Sequence, residues 1–202
     1  MGRSDEELVE ACLSGEASAF DVLVARWEDK IRGAAIRILG SDEEARDVAQ
    51  EAFLKAYRAL PGFKREARFS SWLYQIAVNL CRDRLRRRRG RTVLSLEALE
   101  QTGLVLVSRE PGAHELVQRL DLRRAVHRAI AGLSEEQREV LILKEYQGLT
   151  FLEIAQALEI PLSTVKTRLY RGLGQLRLLL EEDGIRGAAS MPAGAPRGAS
   201  AQ

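Results

Sequence analysis

Apolar residues along this chain recur at intervals of three and four over most of its length, and no convincing strand alternation interrupts them. That periodicity confines the fold to packed helices. Val48, Ala49, Ala52, Phe53, Ala56 and Leu60 make one apolar stripe, and Phe69, Trp72, Leu73, Ile76, Ala77 and Leu80 make another. Helix starts are marked by four capping boxes: Ser4 with Glu7, Ser41 with Glu44, Ser134 with Gln137, and Thr150 with Glu153. In each, the hydroxyl takes an orphan N–H while the long side chain returns to the cap. Gly40, Gly62, Gly132 and Gly148 stand where helices should stop. Six or more helices joined by short loops are expected.

The stripes fall into two groups, which predicts an all-α chain of two small helical domains joined by a flexible linker. The first domain spans residues 1–91. Residues 92–113 hold Gly103, Pro111 and Gly112 and read as the linker. The second domain covers 114–183, and residues 184–202, rich in Gly, Ala, Ser and Pro, read as a disordered tail.

Net charge is only +2, but its distribution is uneven. Residues 1–60 carry 8 basic and 13 acidic side chains, whereas residues 63–91 carry 10 basic and 2 acidic ones. Lys166, Arg168, Arg171 and Arg177 form a second basic island with no acid among them. Two such islands on a near-neutral chain predict two separate contacts with a polyanion. No run of roughly 18 apolar residues spans a membrane, and MGRSDEELVE lacks the apolar core of a secretory signal, so a cytoplasmic location is expected. Cys12 and Cys81 are far apart and in no metal or redox spacing. His114 and His127 have no ligand companions, and neither a phosphate loop nor a nucleophile elbow occurs. No catalytic residue, metal, cofactor or small-molecule substrate is therefore expected.

Thr150 to Arg171, TFLEIAQALEIPLSTVKTRLYR, has the pattern of a helix-turn-helix. Ile154, Ala155 and Leu158 form an inner face, Ile160-Pro161 makes the turn, and Val165 and Leu169 anchor a second helix. Ser163, Lys166, Thr167, Tyr170 and Arg171 are then left to project outward, as a major-groove reader requires. Glu159 takes a turn position where such motifs often use glycine.

In the first domain, Asp47, Gln50 and Glu51 share the polar face of one helix. Downstream, Phe63, Phe69, Trp72 and Tyr74 interleave with Lys64, Arg65 and Arg68. Rings that stack bases beside charges that follow phosphates suit single-stranded DNA. Trp72, Ile76 and Leu80 also share the buried stripe and are expected in the core, while Phe69 fits either place.

These segments resemble the extracytoplasmic-function branch of the sigma-70 family of RNA polymerase sigma factors. Asp47–Leu60 resembles that family's region 2.2, Phe63–Arg89 its regions 2.3 and 2.4, and Leu133–Leu178 its region 4. The resemblance covers about residues 5–180, and its motifs come in the family's order; the long middle domain of other branches is absent.

The resemblance implies a sigma factor that binds core polymerase and directs it to promoters. It implies that Asp47, Gln50 and Glu51 contact the clamp helices of the largest subunit, with the second domain near the flap. Phe63, Lys64, Phe69 and Asn79 would serve the opened −10 element, and Arg82, Arg84, Arg86 and Arg87 would hold its backbone. Ser163, Lys166, Thr167, Tyr170 and Arg171 would read the −35 element as duplex. An anti-sigma partner is a further implication. Taken alone, the helix-turn-helix equally fits a stand-alone regulator of duplex operators, which would have no use for the aromatic and basic block at 63–89.

Overall fold

The computed structural model describes residues 2–63, 67–90, 122 and 124–183. The expected linker and tail, and Lys64, lie outside these residues. Helices α1 (Asp5–Leu13), α2 (Ser18–Leu39) and α3 (Asp42–Ala59) lead through a 3₁₀ turn (Leu60–Gly62) to α4 (Phe69–Gly90). The C-terminal half comprises α5 (124–131) and α6 (Glu135–Leu141), which runs into a π turn (Ile142–Tyr146). Then come α7 (Phe151–Leu158) and α8 (Leu162–Glu182). The described residues contain no strand.

Three of the four expected capping boxes close in both directions, at Ser4, Ser134 and Thr150. Ser41 closes only half of its box: its hydroxyl accepts from the Glu44 N–H at 3.4 Å. The Glu44 carboxylate is instead held by Arg88 of α4. A charged partner across the α3–α4 packing outbids a neutral N–H on the same helix. Gly40 ends α2 with φ 72°, a conformation that costs a glycine nothing.

In the N-terminal half, α2 packs along α3, α3 and α2 flank α4, and α1 closes the end. The C-terminal half seats α8 on α6 and α7, and its α7 lies against α4. One apolar cluster therefore runs through both halves. Burying such a Leu or Ile side chain contributes about 1.5–3 kcal/mol.

This second layer widens the buried face of α4 beyond the expected stripe. Tyr74 and Val78 are fully enclosed, whereas Trp72 and Ile76 remain half-buried. Cys81 is also enclosed, and desolvation pushes its thiol up to about 12, so it stays protonated at neutral pH. Cys12 is half-buried and its pKa is likewise raised, chiefly by burial.

Candidate nucleic-acid and polymerase interfaces

The polar face of α3 carries Asp47 and Gln50 exposed and Glu51 half-exposed. Asp47 and Glu51 are steadied from behind by Arg84 of α4, at 3.4 and 3.3 Å, and Glu51 also pairs with Lys55 at 3.2 Å. Arg84, expected on a DNA backbone, is thus turned towards α3 in this structure. Its long side chain lies where α4 crosses two carboxylates, and their charge holds it there. Leu54 continues the same face one turn on and is 57% exposed, as is Tyr57 at 51%. Sequence reading passed over both residues, which lie off the apolar stripe of α3; here they continue the acidic face into an exposed apolar patch.

The expected aromatic platform is smaller than its four rings suggest. Phe69 is 1% exposed and Tyr74 is enclosed, so neither offers a face to a base. Of the two places left open for Phe69, the structure takes the core: it opens α4 one turn before Leu73, on the face that packs inward. Phe63 and Trp72 remain half-buried and stack at 4.7 Å with 27° between their planes. Phe69 supports this pair from beneath, 6.4 Å from Phe63 and 6.0 Å from Trp72. A cleft of about 350 Å³ opens beside Phe63, bounded by Val9 of α1 and by Leu152, Glu153 and Gln156 of α7.

The cations near this platform divide into two groups. Arg87 is exposed, and Arg86 is exposed beside Asp83 at 2.5 Å. Among the described residues, the others are engaged with protein groups. Arg88 donates to Glu44 and to the Leu39 carbonyl, and Arg68 reaches Glu153 of α7 at 2.8 Å. Arg82 makes a two-pronged pair with Glu139 of α6, Nε–Oε1 2.8 Å and Nη2–Oε2 2.6 Å. Its remaining Nη1 donates to exposed Asn79 at 3.3 Å. The hydrogen bonds to Glu139 raise the Arg82 pKa further, and the charges of Glu136 and Glu159 add to the effect. The Glu139 side chain is 1% exposed.

In the C-terminal half, α7 and α8 form the expected helix-turn-helix. Val165 and Leu169 are buried, as are Ile154, Ala157 and Leu158; Ala155 is only half-buried at the edge of that seam. The turn residue Glu159 adopts φ 54° and ψ 43°, the one non-glycine residue with positive φ among those described. The glycine expectation at this position is therefore met in backbone shape but not in residue type. Further along, a Cβ at Gly172 would lie 3.3 Å from Gln137 Cβ, so its bareness sets how closely α8 crosses α6.

Anchored this way, α8 presents Ser163, Lys166, Thr167, Tyr170 and Arg171 to solvent. The Thr167 hydroxyl donates to the Ser163 carbonyl at 2.9 Å, and Lys166 lies 5.9 Å from the Phe151 ring centre. Five polar or cationic side chains on one exposed helix face are chemically suited to phosphates and base edges.

The π turn carries no sequence signal. It inserts one extra residue into the helical turn, with the Gln147 N–H donating to the Ile142 carbonyl at 3.2 Å. The insertion swings Tyr146 to 4.3 Å from the Arg37 guanidinium and lets Gln147 accept from the Tyr74 hydroxyl at 2.8 Å. Among the described residues, no group of three His, Cys, Asp or Glu side chains is placed to hold a metal. No described helix is long and apolar enough to cross a membrane.

The chain is similar to known proteins over both halves. A family model described as Sigma-70 region 2 matches residues 23–91, and one described as Sigma-70, region 4 matches residues 123–176. The RNA polymerase sigma-H factor of Pseudomonas aeruginosa is 36% identical over 171 residues, which are 83% of this chain and 89% of that protein. The ECF RNA polymerase sigma factor SigW of Bacillus subtilis is 37% identical over 172 residues, 83% of this chain and 92% of that protein. Among solved structures, CnrH in complex with the cytosolic domain of CnrY superposes with a TM-score of 0.68 at 28% identity. That match covers 90% of this chain and 99% of the other. The sigma factor RpoE of Bartonella quintana, solved with the anti-sigma factor NepR, shares the fold at a TM-score of 0.59 and 24% identity, over 80% of this chain and 96% of that one.

Proposed function

We propose, from a chain that belongs to the extracytoplasmic-function branch of the RNA polymerase sigma-70 family, that its two halves divide promoter recognition between them. The protein is a sigma factor, so its partners are core polymerase and promoter DNA. Asp47, Gln50 and Glu51 dock on the clamp helices of the largest subunit, with Leu54 adding apolar area, and Arg84 keeps the carboxylates in place. Phe63, Lys64 and Asn79 receive the unstacked strand of the −10 element, and Arg82, Arg86 and Arg87 hold its phosphates. Helix α8 reads the −35 element as duplex through Lys166, Thr167, Tyr170 and Arg171, with Ser163 at its start. The step is non-catalytic: extracting a base costs a few kcal/mol, and binding to the opened strand offsets it. The work is cytoplasmic, where polymerase and promoters are.

The observation that carries this reading is the pairing of two faces on one chain: a mixed acidic and apolar face on α3 and an exposed basic reader on α8. A stand-alone operator regulator would need only the second. The direct experiment is co-purification with core polymerase followed by run-off transcription from a promoter library. Stable association with promoter-dependent transcripts is expected. Absence of association, with tight duplex binding by the free chain, would instead support the operator regulator.

Two variants refine the assignment. Gln50→Ala with Glu51→Ala is expected to weaken core binding by about 1–2 kcal/mol with no change in helical content; unchanged affinity for core would remove α3 from the interface. Arg171→Ala is expected to cost about 1–3 kcal/mol in −35 recognition if its guanidinium reads a base edge. The check is transcription from promoters differing only at −35, where an unaltered preference would refute the contact. CnrH and RpoE were both solved with a bound partner protein. By analogy, an anti-sigma protein covering the same faces is proposed here, to be sought by pull-down from the native cell; a chain free and active under all conditions would count against it.

A further inference from the structure

Helix α1 makes none of the promoter contacts proposed above, yet it borders the cleft beside Phe63. We propose that α1 is one wall of the −10 strand site, and that Asp5, pinned to Arg26 and Trp27 of α2, is the positioning residue that holds this wall against the turn carrying Phe63. The inference rests on the reading of Phe63 as a contact to the opened strand.

Phe63 stands outside any helix, directly after the 3₁₀ turn, where its N–H donates to the Leu60 carbonyl at 3.1 Å. One backbone hydrogen bond does not fix a ring, so its placement depends on what packs around it. Trp72 stacks on it and Phe69 meets it edge-on. Beyond these two rings, α1 packs against both the 3₁₀ turn and α4, and its Val9 lines the same cleft as Phe63.

The apolar footing of α1 is small. The helix is nine residues long and its buried residues are Leu8 and Val9. A helix this short does not hold itself in water, so its place depends on tertiary anchors.

Asp5 supplies the polar anchor. Its Oδ1 accepts from Arg26 Nη1, and its Oδ2 accepts from the Trp27 indole N–H at 2.9 Å. The carboxylate is only 15% exposed, and partial shielding from water strengthens both bonds. Arg26 also donates to the Arg3 carbonyl at 2.8 Å, just before the Ser4 cap. Arg3 in turn pairs with Glu16, past the far end of the helix, at 2.9 Å. These contacts clasp α1 at both ends.

The pin also leads to the aromatic pair. The Trp27 ring lies edge-on to Tyr74 of α4 at 6.0 Å, and the Lys30 ammonium sits 4.3 Å from the Trp27 ring centre. Helix α4 is the one that carries Phe69 and Trp72. One carboxylate therefore fixes α1 on α2 and, through Trp27, sets it relative to the rings that flank Phe63.

The test uses holoenzyme assembled from core polymerase and the full chain. Its readout is the rate at which a duplex promoter opens, with affinity for core as the control. Asp5→Asn keeps the shape of the side chain and removes the charge that holds Arg26. It is expected to slow opening about 5–10-fold, within the usual range of coupling between sites, and to leave affinity for core unchanged. Phe63→Ala is the reference. Adding Asp5→Asn to it should slow opening no further, because both act through one ring. Additive losses would overturn the proposal, as would a loss of opening matched by an equal loss of core affinity. Phe63→Ala without effect would discard the strand reading and this inference together. A slowed Phe63→Ala beside a normal Asp5→Asn would discard this inference alone. Should Asp5→Asn fail to fold, Trp27→Phe decides: it keeps a ring against Tyr74 and removes the N–H to Asp5. It is expected to slow opening by a smaller factor, and the wild-type rate would refute the pin.

Discussion

Tyr74→Ala is expected to lower the unfolding free energy by about 3–5 kcal/mol, the range for removing a fully enclosed aromatic ring. The side chain is sealed on α4 and packs edge-on against Trp27 of α2 at 6.0 Å. Its hydroxyl donates to Gln147 of the other half at 2.8 Å. Burial raises the phenol pKa well above its usual value, so the group remains a neutral donor at any working pH. Tyr74→Phe separates the two contributions. It keeps the ring, strands only the Gln147 acceptor, and should cost about 1 kcal/mol. Urea titration followed by tryptophan fluorescence reports directly, because Trp27 lies against the ring. A loss below about 1 kcal/mol for the alanine variant would mean that the site collapses freely and that α4 is not clamped from both sides.

Ile154→Ala is expected to cost about 2–5 kcal/mol and to fall on the C-terminal half. Ile154 is fully buried in α7, in the core that also seats Val165 and Leu169 beneath α8. A cavity there unseats the reader helix without touching Lys166, Tyr170 or Arg171. Binding to −35 duplex should fall with the stability of this half, while association with core polymerase through α3 persists. Calorimetry together with a duplex-binding assay tests both parts. Retained −35 binding in a variant destabilised by several kcal/mol would show that α8 does not depend on α7 for its placement.

Much of the local structure is legible in the chain because its determinants are local. The caps at Ser4, Ser134 and Thr150 need only residues three positions apart, and all three close as read. The helix-turn-helix was equally visible, since Pro161, the apolar anchors and the outward polar face lie within one short segment. Ser41 shows where such reading stops: its box was half-dissolved by Arg88, 44 positions from Glu44. The aromatic block shows the same limit. Four rings among cations read as a platform, yet Phe69 and Tyr74 were taken into the core, leaving Phe63 and Trp72 at its edge.

Periodicity and capping chemistry are short-range, so the sequence by itself determined that the chain is helical, where most helices begin, and which face of α8 meets solvent. The two basic islands were readable for the same reason, since charge needs no fold to be counted. Only the tertiary structure decided which of those charges are free. Arg84 turns to Asp47 and Glu51, Arg88 to Glu44, Arg68 to Glu153 and Arg82 to Glu139 because each long side chain finds a carboxylate on another helix. The π turn and the seam between α4 and α7 belong to the same class. They arise from burying two apolar faces against each other, a long-range gain that no window of neighbouring residues records.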